Sequence, residues 1–423
     1  MTDLPFPKGF RDMLPNESLF RLNVIKKIES VFQLYGFLSI NTPKLESLDI
    51  LLAKDSIGEE NKLIFKLKEE NLGLRYDQTV SLARYFIMHS DLPLPFKRYS
   101  IGEVWRMDEP QRLRYREFTQ ADIDIIGGES IKGNAEVIAV LSKVYTSFNI
   151  DFSVSVNDRS LLDKFFEKIE VTGNDQIKVM RSIDKMDKIG VEGVRKIIEE
   201  LIGKEKSSKI IELISFEGSN EQKIDFISKI VGEDATREIN ETLKLLKIYN
   251  IKENIILDFS TVRGIDYYTS IVFEFKIKGE NSSLGGGGRY DHLIEMYGGK
   301  SINAVGASIG VDRLLDILNF KNSKEYSPSQ VFIANVKKEN YNYALSVANE
   351  LRANGINTDL NASERNISNQ LSYANSLHFK YVIFVGPSEE ESKMVKLRNM
   401  ETGAEETTQL SDVISLIKSR VRS

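Results

Sequence analysis

The run FTQADIDI, residues 118–125, constrains the fold more than any other stretch of the chain. A period of two puts Phe118, Gln120, Asp122 and Asp124 on one face and Thr119, Ala121, Ile123 and Ile125 on the other. As an isolated strand, its carboxylate face reads as solvated. The apolar Ile125-Ile126-Gly127 that follows instead suits a central strand, and a central strand with carboxylates and an amide on one face lines a polar pocket. Just upstream, FKRYSIGEVWRMD reads as a second strand, and a polar loop around EPQRLR joins the two as a hairpin.

The rest of the chain falls into segments around this hairpin. Residues 17–37 carry Leu22, Ile25, Ile28, Val31 and Phe32 at helical spacing, with Gly36 placed to stop the helix. LSINTPKLES, residues 38–47, reads as a strand with Pro43 near its end, which suits an edge. LRYDQTVSLARYFIM runs from a polar strand end into a helix capped by Asp77 or Thr79. Residues 161–250 are rich in Lys, Glu and Ile and patterned as helices, with turns at VTGND, FEGSN and GED. They read as a helical insertion between two parts of one sheet domain, residues 1–160 and 251–320. A polar Ser-Pro linker at 319–330 precedes a final unit, residues 328–423. Strands VFIANV, INTDL and KYVIFVG alternate there with two helices, which implies a parallel or mixed sheet.

A length of 423 residues suggests two to four domains. The chain has no cysteine, which removes disulfides, thiolate nucleophiles and Cys-ligated zinc. Its three histidines, His89, His292 and His378, form no H-E-x-x-H pattern, so a zinc hydrolase is not expected. A net charge of −5 argues against a generic nucleic-acid coat, though not against a local basic surface. MTDLPFPKGFRDMLP has no apolar signal-peptide core, and no run approaches the length of a membrane span. The expected compartment is the cytoplasm, with no membrane partner.

Cationic chemistry gathers at a few places. Arg106, Arg112, Arg114 and Arg116 cluster on and after the hairpin loop, and Arg313 opens an amphipathic helix. The planar guanidinium suits phosphate, but a surface basic loop or a protein carboxylate partner explains each of them as well. TVRGIDYYTSIVFEF, residues 261–275, places an arginine, a glycine and two tyrosines at the mouth of an alternating strand. The glycines 285–288 fit neither the P-loop nor the dinucleotide pattern and read better as a close backbone approach of a strand or ligand.

Together LRYDQT, RMDEPQRLRYREFTQADIDIIG, RGIDYYTSIVFEF, GGGGRYDHL and GASIGVDR resemble the ordered motifs of the histidyl-tRNA synthetases, which are class II aminoacyl-tRNA synthetases. KGFRDMLP near the start and QLSYAN and YVIFVG near the end match too, so the likeness covers nearly the whole chain. The wording of LRYDQT and DIDI is closest to the archaeal and eukaryotic branch. The resemblance implies an α+β class II catalytic domain, an antiparallel sheet flanked by helices, with the helical insertion and a C-terminal α/β anticodon-binding domain. It implies a homodimer that joins L-histidine to ATP and then transfers it to tRNA(His), with Mg²⁺ bridging the phosphates and no prosthetic group or protein-held metal.

The resemblance also implies roles for single residues. Arg106 and Arg263 would be the catalytic pair, contacting the α-phosphate and the histidine carboxylate. Arg114 and Arg313 would hold the γ-phosphate end, Phe118 would stack on adenine, and Asp108 belongs to the same ATP site. Asp77, Gln78, Thr79 and Gln120 belong to the site of the histidine ammonium. Asp124 and Tyr268 would take the two imidazole nitrogens, with Tyr267 beside them. Gln111 would read the extra guanosine at the tRNA 5′ end. Many bacterial members carry Glu where this chain has Asp77 and Asp124, and Arg where it has Glu109. A silent regulatory relative of histidine biosynthesis is the alternative. Such chains usually lack the anticodon domain and have a degraded RGIDYY segment, and both are present here.

Overall fold

Long alternating strands and a single glycine-rich strand build the larger sheet. The computed structural model describes residues 4–52, 63–111, 114–251, 254–265, 267–278, 283–322, 327–363 and 365–421. They divide into two compact units, residues 1–10 with 25–317 and residues 11–24 with 318–423.

The chain opens with helix α1 (Pro15–Leu34), then β1 (Leu38–Ser39), β2 (Leu45–Ser47), α2 (Leu48–Leu52), β3 (Leu72–Leu74) and α3 (Thr79–Met88). The buried stripe of α1 is Val24, Ile28, Val31 and Phe32, whereas Leu22 is 47% exposed. Val24 and Ile28 share a face with Val31 by 3.6-residue spacing, and Leu22 falls off that stripe. The strand expected over 38–47 is two short ones. Pro43 lies in the gap, where its missing N–H breaks the ladder, and β1 pairs parallel with Arg98 and Tyr99 while β2 pairs antiparallel with β3.

Next come β4 (Phe96–Trp105) and β5 (Glu117–Ile126), the expected hairpin, paired antiparallel along their whole length from Phe96↔Ile126 to Trp105↔Glu117. They are followed by α4 (Ser130–Ser147) and β6 (Phe152–Asp158). Six helices follow: α5 (Arg159–Lys168), α6 (Gly173–Ile183), α7 (Met186–Ile202), α8 (Lys204–Ile214), α9 (Asn220–Val231) and α10 (Glu233–Ile248). Asp158 caps α5 by accepting from Ser160 N, and Ser219 with Gln222 forms a capping box on α9. The unit is completed by β7 (Ile255–Leu257), β8 (Ile271–Ile277), β9 (Ser283–Arg289), α11 (Leu293–Met296), β10 (Ala304–Gly310) and α12 (Val311–Ile317).

The sheet order is β1-β4-β5-β10-β9-β8-β6-β7. Its six inner strands are antiparallel to their neighbours, but the outermost pairs β1·β4 and β6·β7 are parallel, so the sheet is mixed rather than wholly antiparallel. One face carries Thr119, Ala121, Ile123 and Ile125, all buried, as are the α4 residues Val137, Ile138, Val140, Leu141 and Val144. Tyr145, Phe152 and Phe275 close that core with ring centroids 5.1–5.7 Å apart. The opposite face is polar and carries the candidate site.

In the second unit β11 (Val331–Asn335), α13 (Tyr341–Ala353), β12 (Thr358–Leu360), α14 (Ile367–Ser376), β13 (Tyr381–Val385), α15 (Pro387–Ser392), β14 (Val395–Asn399), β15 (Glu405–Thr408) and α16 (Leu410–Val421) follow in order. The sheet β12-β11-β13-β14-β15 is parallel over its first three strands and antiparallel over the last two. Strands β11 and β13 are buried at every position. Their near-continuous apolar runs reflect helices on both faces, α13 and α16 on one and α14 on the other. The β14–β15 hairpin and α16 lie outside the expected elements, although Leu410, Val413, Ile414 and Ile417 stand at helical spacing. VKLRN and EETT are short and polar; VKLRN is placed by pairing to β13 and EETT by pairing to VKLRN.

Candidate active site

Cross-strand register gathers the polar residues onto one floor. Arg98, Asp124, Gly306 and Gly288 lie side by side across β4, β5, β10 and β9, and Ser100, Asp122, Ser308 and Gly286 form the next row. The solvated reading of the FTQADIDI face fails, because Asp122 and Asp124 are only 4% and 2% exposed.

The two glycines leave the space that the site occupies. A Cβ on Gly306 would lie 2.0 Å from Asp124 Oδ1, and one on Gly288 would lie 2.7 Å from the Tyr268 ring. Gly306 of β10 thus admits the carboxylate, and Gly288 of β9 admits the tyrosine. Gly264 adopts φ 58°, and a Cβ there would sit 2.3 Å from the Tyr268 ring. That left-handed turn packs Tyr267 and Tyr268 together with centroids 4.2 Å apart. Burial pushes the Tyr268 hydroxyl up to about 12, so it remains a protonated donor.

Asp124 is held from two sides. Tyr290 donates its hydroxyl to Asp124 Oδ1, and Arg98 Nη2 stands 2.5 Å from Oδ2. Burial raises the Asp124 pKa, and Arg98 and Tyr290 pull it back toward the charged form. Asp122 is pushed up to about 7, first by burial, with Arg98 and Ser308 opposing and Asp124 and Asp77 reinforcing. Gln120 Nε2 donates to Ser308 Oγ at 2.9 Å, and its Oε1 makes no hydrogen bond among the described residues.

At the start of α3, Asp77 provides the cap: its Oδ1 accepts from Val80 N at 3.1 Å, with Thr79 as the first helical residue. Gln78 is turned into the sheet, donating to Gln120 O at 3.1 Å and accepting from the Ser100 hydroxyl at 2.6 Å. It braces the floor instead of facing the cavity.

The arginines stand at the other end. Arg106 donates to Tyr76 O at 3.0 Å and lies 5.3 Å from the Phe118 ring centroid. Arg114 places Nε and Nη2 each 2.9 Å from Asp108 Oδ2. Arg263 donates to Glu274 Oε1 at 2.8 Å and to Ser283 Oγ at 2.9 Å. Arg313 donates to Ser283 O, beside Asp312, whose carboxylate accepts from Thr119 N at 2.6 Å. Burial first lowers the Arg313 pKa, and the charges of Arg263, Arg114 and Arg106 lower it further. Four cations therefore converge on one region. Gln111 is exposed and closes the loop through backbone bonds with Arg114. Arg112 and Asp266 lie outside the described residues.

Four positioning residues carried no sequence signal of their own. Arg159 donates to Ile265 O and Tyr268 O, and Asn157 donates to Phe259 O and Thr261 O, so the end of β6 ties down the segment bearing Arg263. Arg98 and Tyr290 stood inside quoted motifs, but only the register shows that they meet Asp124.

Comparison with known proteins agrees with this architecture. The family model described as "Histidyl-tRNA synthetase" matches residues 9–314, and "Anticodon binding domain" matches residues 330–420. A Korarchaeum cryptofilum protein named Histidine--tRNA ligase is 40% identical, covering 97% of this chain and 98% of its own. One of the same name from Pyrococcus horikoshii is 37% identical over 98% of this chain and 99% of its own. The crystal structure of histidyl-tRNA synthetase from Nostoc superposes with a TM-score of 0.89 at 28% identity, covering 99% of this chain and 100% of the other. The chain belongs to the histidyl-tRNA synthetase family.

Proposed function

We propose that the chain attaches L-histidine to tRNA(His), first forming histidyl-adenylate and pyrophosphate from histidine and ATP. The carrying observation is the convergence of Arg106, Arg114, Arg263 and Arg313, where burial first and then the charges of the other three lower the Arg313 pKa. Such a cluster at the edge of a polar, carboxylate-lined floor is stabilised by a polyanion, and a triphosphate supplies one.

In this reading a histidine carboxylate oxygen attacks the α-phosphorus, and the bond to pyrophosphate breaks. No protein nucleophile is needed, so positioning and charge stabilisation carry the step. Arg106 and Arg263 flank the α-phosphate and the histidine carboxylate. Arg114, held by Asp108, and Arg313 take the γ-phosphate end, and Phe118 stacks on adenine. Asp77, Thr79 and Gln120 accept the α-ammonium, with Gln78 bracing them from behind. Asp124 accepts from one imidazole nitrogen, Tyr268 serves the other, and Tyr267 lines the wall. The terminal adenosine hydroxyl of the tRNA then attacks the mixed anhydride carbonyl, and AMP leaves.

No group of three or more His, Asp or Glu side chains among the described residues is arranged to hold a metal ion. Mg²⁺ would arrive with ATP as part of the substrate and would supply charge neutralisation there. We assign Gln111 and residues 328–423 to tRNA recognition, leave 161–250 as the insertion, and place the working homodimer in the cytoplasm.

Purified protein is expected to catalyse histidine-dependent exchange between pyrophosphate and ATP. Absence of exchange would overturn this reading and favour the regulatory alternative.

A further inference from the structure

Arg98 touches no substrate in the reading above, yet it is the largest fully buried side chain among the described residues, 0% exposed. It stands opposite Asp124 in the β4–β5 ladder, with Nη2 2.5 Å from Asp124 Oδ2. Nη2 is committed to the ion pair with Asp124, and Nε makes no hydrogen bond among the described residues. A buried ion pair is a poor device for stability alone, because well-packed apolar residues of similar volume commonly do as well or better. An arginine kept there under a pocket carboxylate points to selection of what enters the pocket.

We propose that Arg98 is a positioning and specificity-determining residue, which keeps Asp124 an aimed, unprotonated acceptor for the substrate's imidazole N–H. The inference rests on the reading above that Asp124 meets the imidazole. Arg98 holds Oδ2 and Tyr290 holds Oδ1, so both torsions of the short Asp124 side chain are set before a ligand arrives. Asp has less reach than the Glu found in many bacterial relatives, and here the carboxylate is aimed by two partners that lie 26 and 166 residues away in sequence.

The groups that face Asp124 are Arg98 from β4, Asp122 on β5 itself, Asp77 ahead of α3, Tyr290 after β9 and Tyr268 ahead of β8. Among them Arg98 supplies the cation. The buried Arg75 acts on Asp122 and on the half-buried Asp77, so without Arg98 Asp124 keeps only the Tyr290 hydroxyl against burial and the charge of Asp77, and it is protonated at higher pH. A protonated Asp124 offers an O–H toward a nitrogen that also carries hydrogen, and histidine binding weakens.

The test compares Arg98→Met, which keeps length without charge, with Arg98→Lys, which restores charge, in the full-length protein. Histidine KM, ATP KM and kcat are read from pyrophosphate exchange between about pH 6 and pH 9. Arg98→Met is expected to raise histidine KM roughly tenfold or more at neutral pH, the scale of a lost charged hydrogen-bond partner. The rise should grow as pH falls, while ATP KM stays within about twofold. Arg98→Lys should recover most of the loss. The proposal is overturned if histidine KM and its pH profile match the wild type. It is equally overturned if both KM values rise together and Arg98→Lys is no better than Arg98→Met, the pattern of a merely structural role. Should Arg98→Met fail to fold by circular dichroism, Tyr290→Phe decides, because it removes one O–H from Asp124 without stranding a charge. An unchanged histidine KM in that variant sinks the proposal. Wild-type protein without histidine-dependent exchange would instead sink the proposed function, so the two failures are distinguishable.

Discussion

Arg263 shows how a single residue can have a visible partner and still be available for a ligand. Its guanidinium is paired with Glu274 on one side and the Ser283 hydroxyl on the same nitrogen, with 43% of its side chain exposed. Replacing it with alanine should lower adenylate formation by roughly 10²–10³ in kcat, the scale of losing one transition-state donor. Pyrophosphate exchange measures this, and a normal rate would remove Arg263 from the chemistry. Asp122 carries a second residue-scale consequence. Its folded pKa of about 7 lies above the ordinary aspartate value of 3.8. Below pH 4 it is protonated in both states, between about 4 and 7 only the unfolded state ionises, and above that range both are charged. Its contribution to stability therefore falls as pH rises across that window and then levels off. Melting curves should show a shallower decline with pH for Asp122→Asn than for the wild type, and parallel curves would contradict the assignment.

At the scale of elements, the glycine-rich β9 joins the two faces of the sheet. Gly287 faces the α4 side, where a Cβ would lie 2.0 Å from Gly306 O and 2.7 Å from Ala307 Cα. Backbone cannot give way as a flexible side chain can, so Gly287→Ala should destabilise the fold by roughly 1–3 kcal/mol or more. Urea unfolding reads the change directly, and an unaltered midpoint would mean that β9 relaxes without cost. The β4–β5 hairpin was legible because period-two alternation, a polar loop and flanking apolar residues all agreed. β1 and β2 were not, because Pro43 marks a break without saying which strand each half will join. The Leu22 discrepancy has a similar origin: helical periodicity tolerates several neighbouring stripes, and packing selects one.

For the whole molecule, chemistry and tRNA recognition fall to different units in our reading. Truncation after Asn319 should retain measurable exchange but raise the KM for tRNA, and equal tRNA KM values would count against the division. Residues 11–24 group with 318–423, so circular dichroism must first establish that the shortened chain keeps its helices. No helix among the described residues is long and apolar enough to cross a membrane.

Local chemistry determined what short stretches could reveal by themselves: strand alternation, helix stops, the change of composition at the insertion, and the arginine and tyrosine motifs whose order resembles one family. These depend on neighbours within a few residues, so a linear reading captures them. Tertiary structure decided which of those residues meet. Tyr290 reaches Asp124 across 166 residues, and Thr119 N reaches Asp312 across 193. Such contacts depend on strand register, and a one-residue slip of β5 would turn Asp124 to the opposite face. The floor beneath Asp124, with Arg98 under it and two glycines opening it, therefore exists only once β4, β5, β10 and β9 lie side by side.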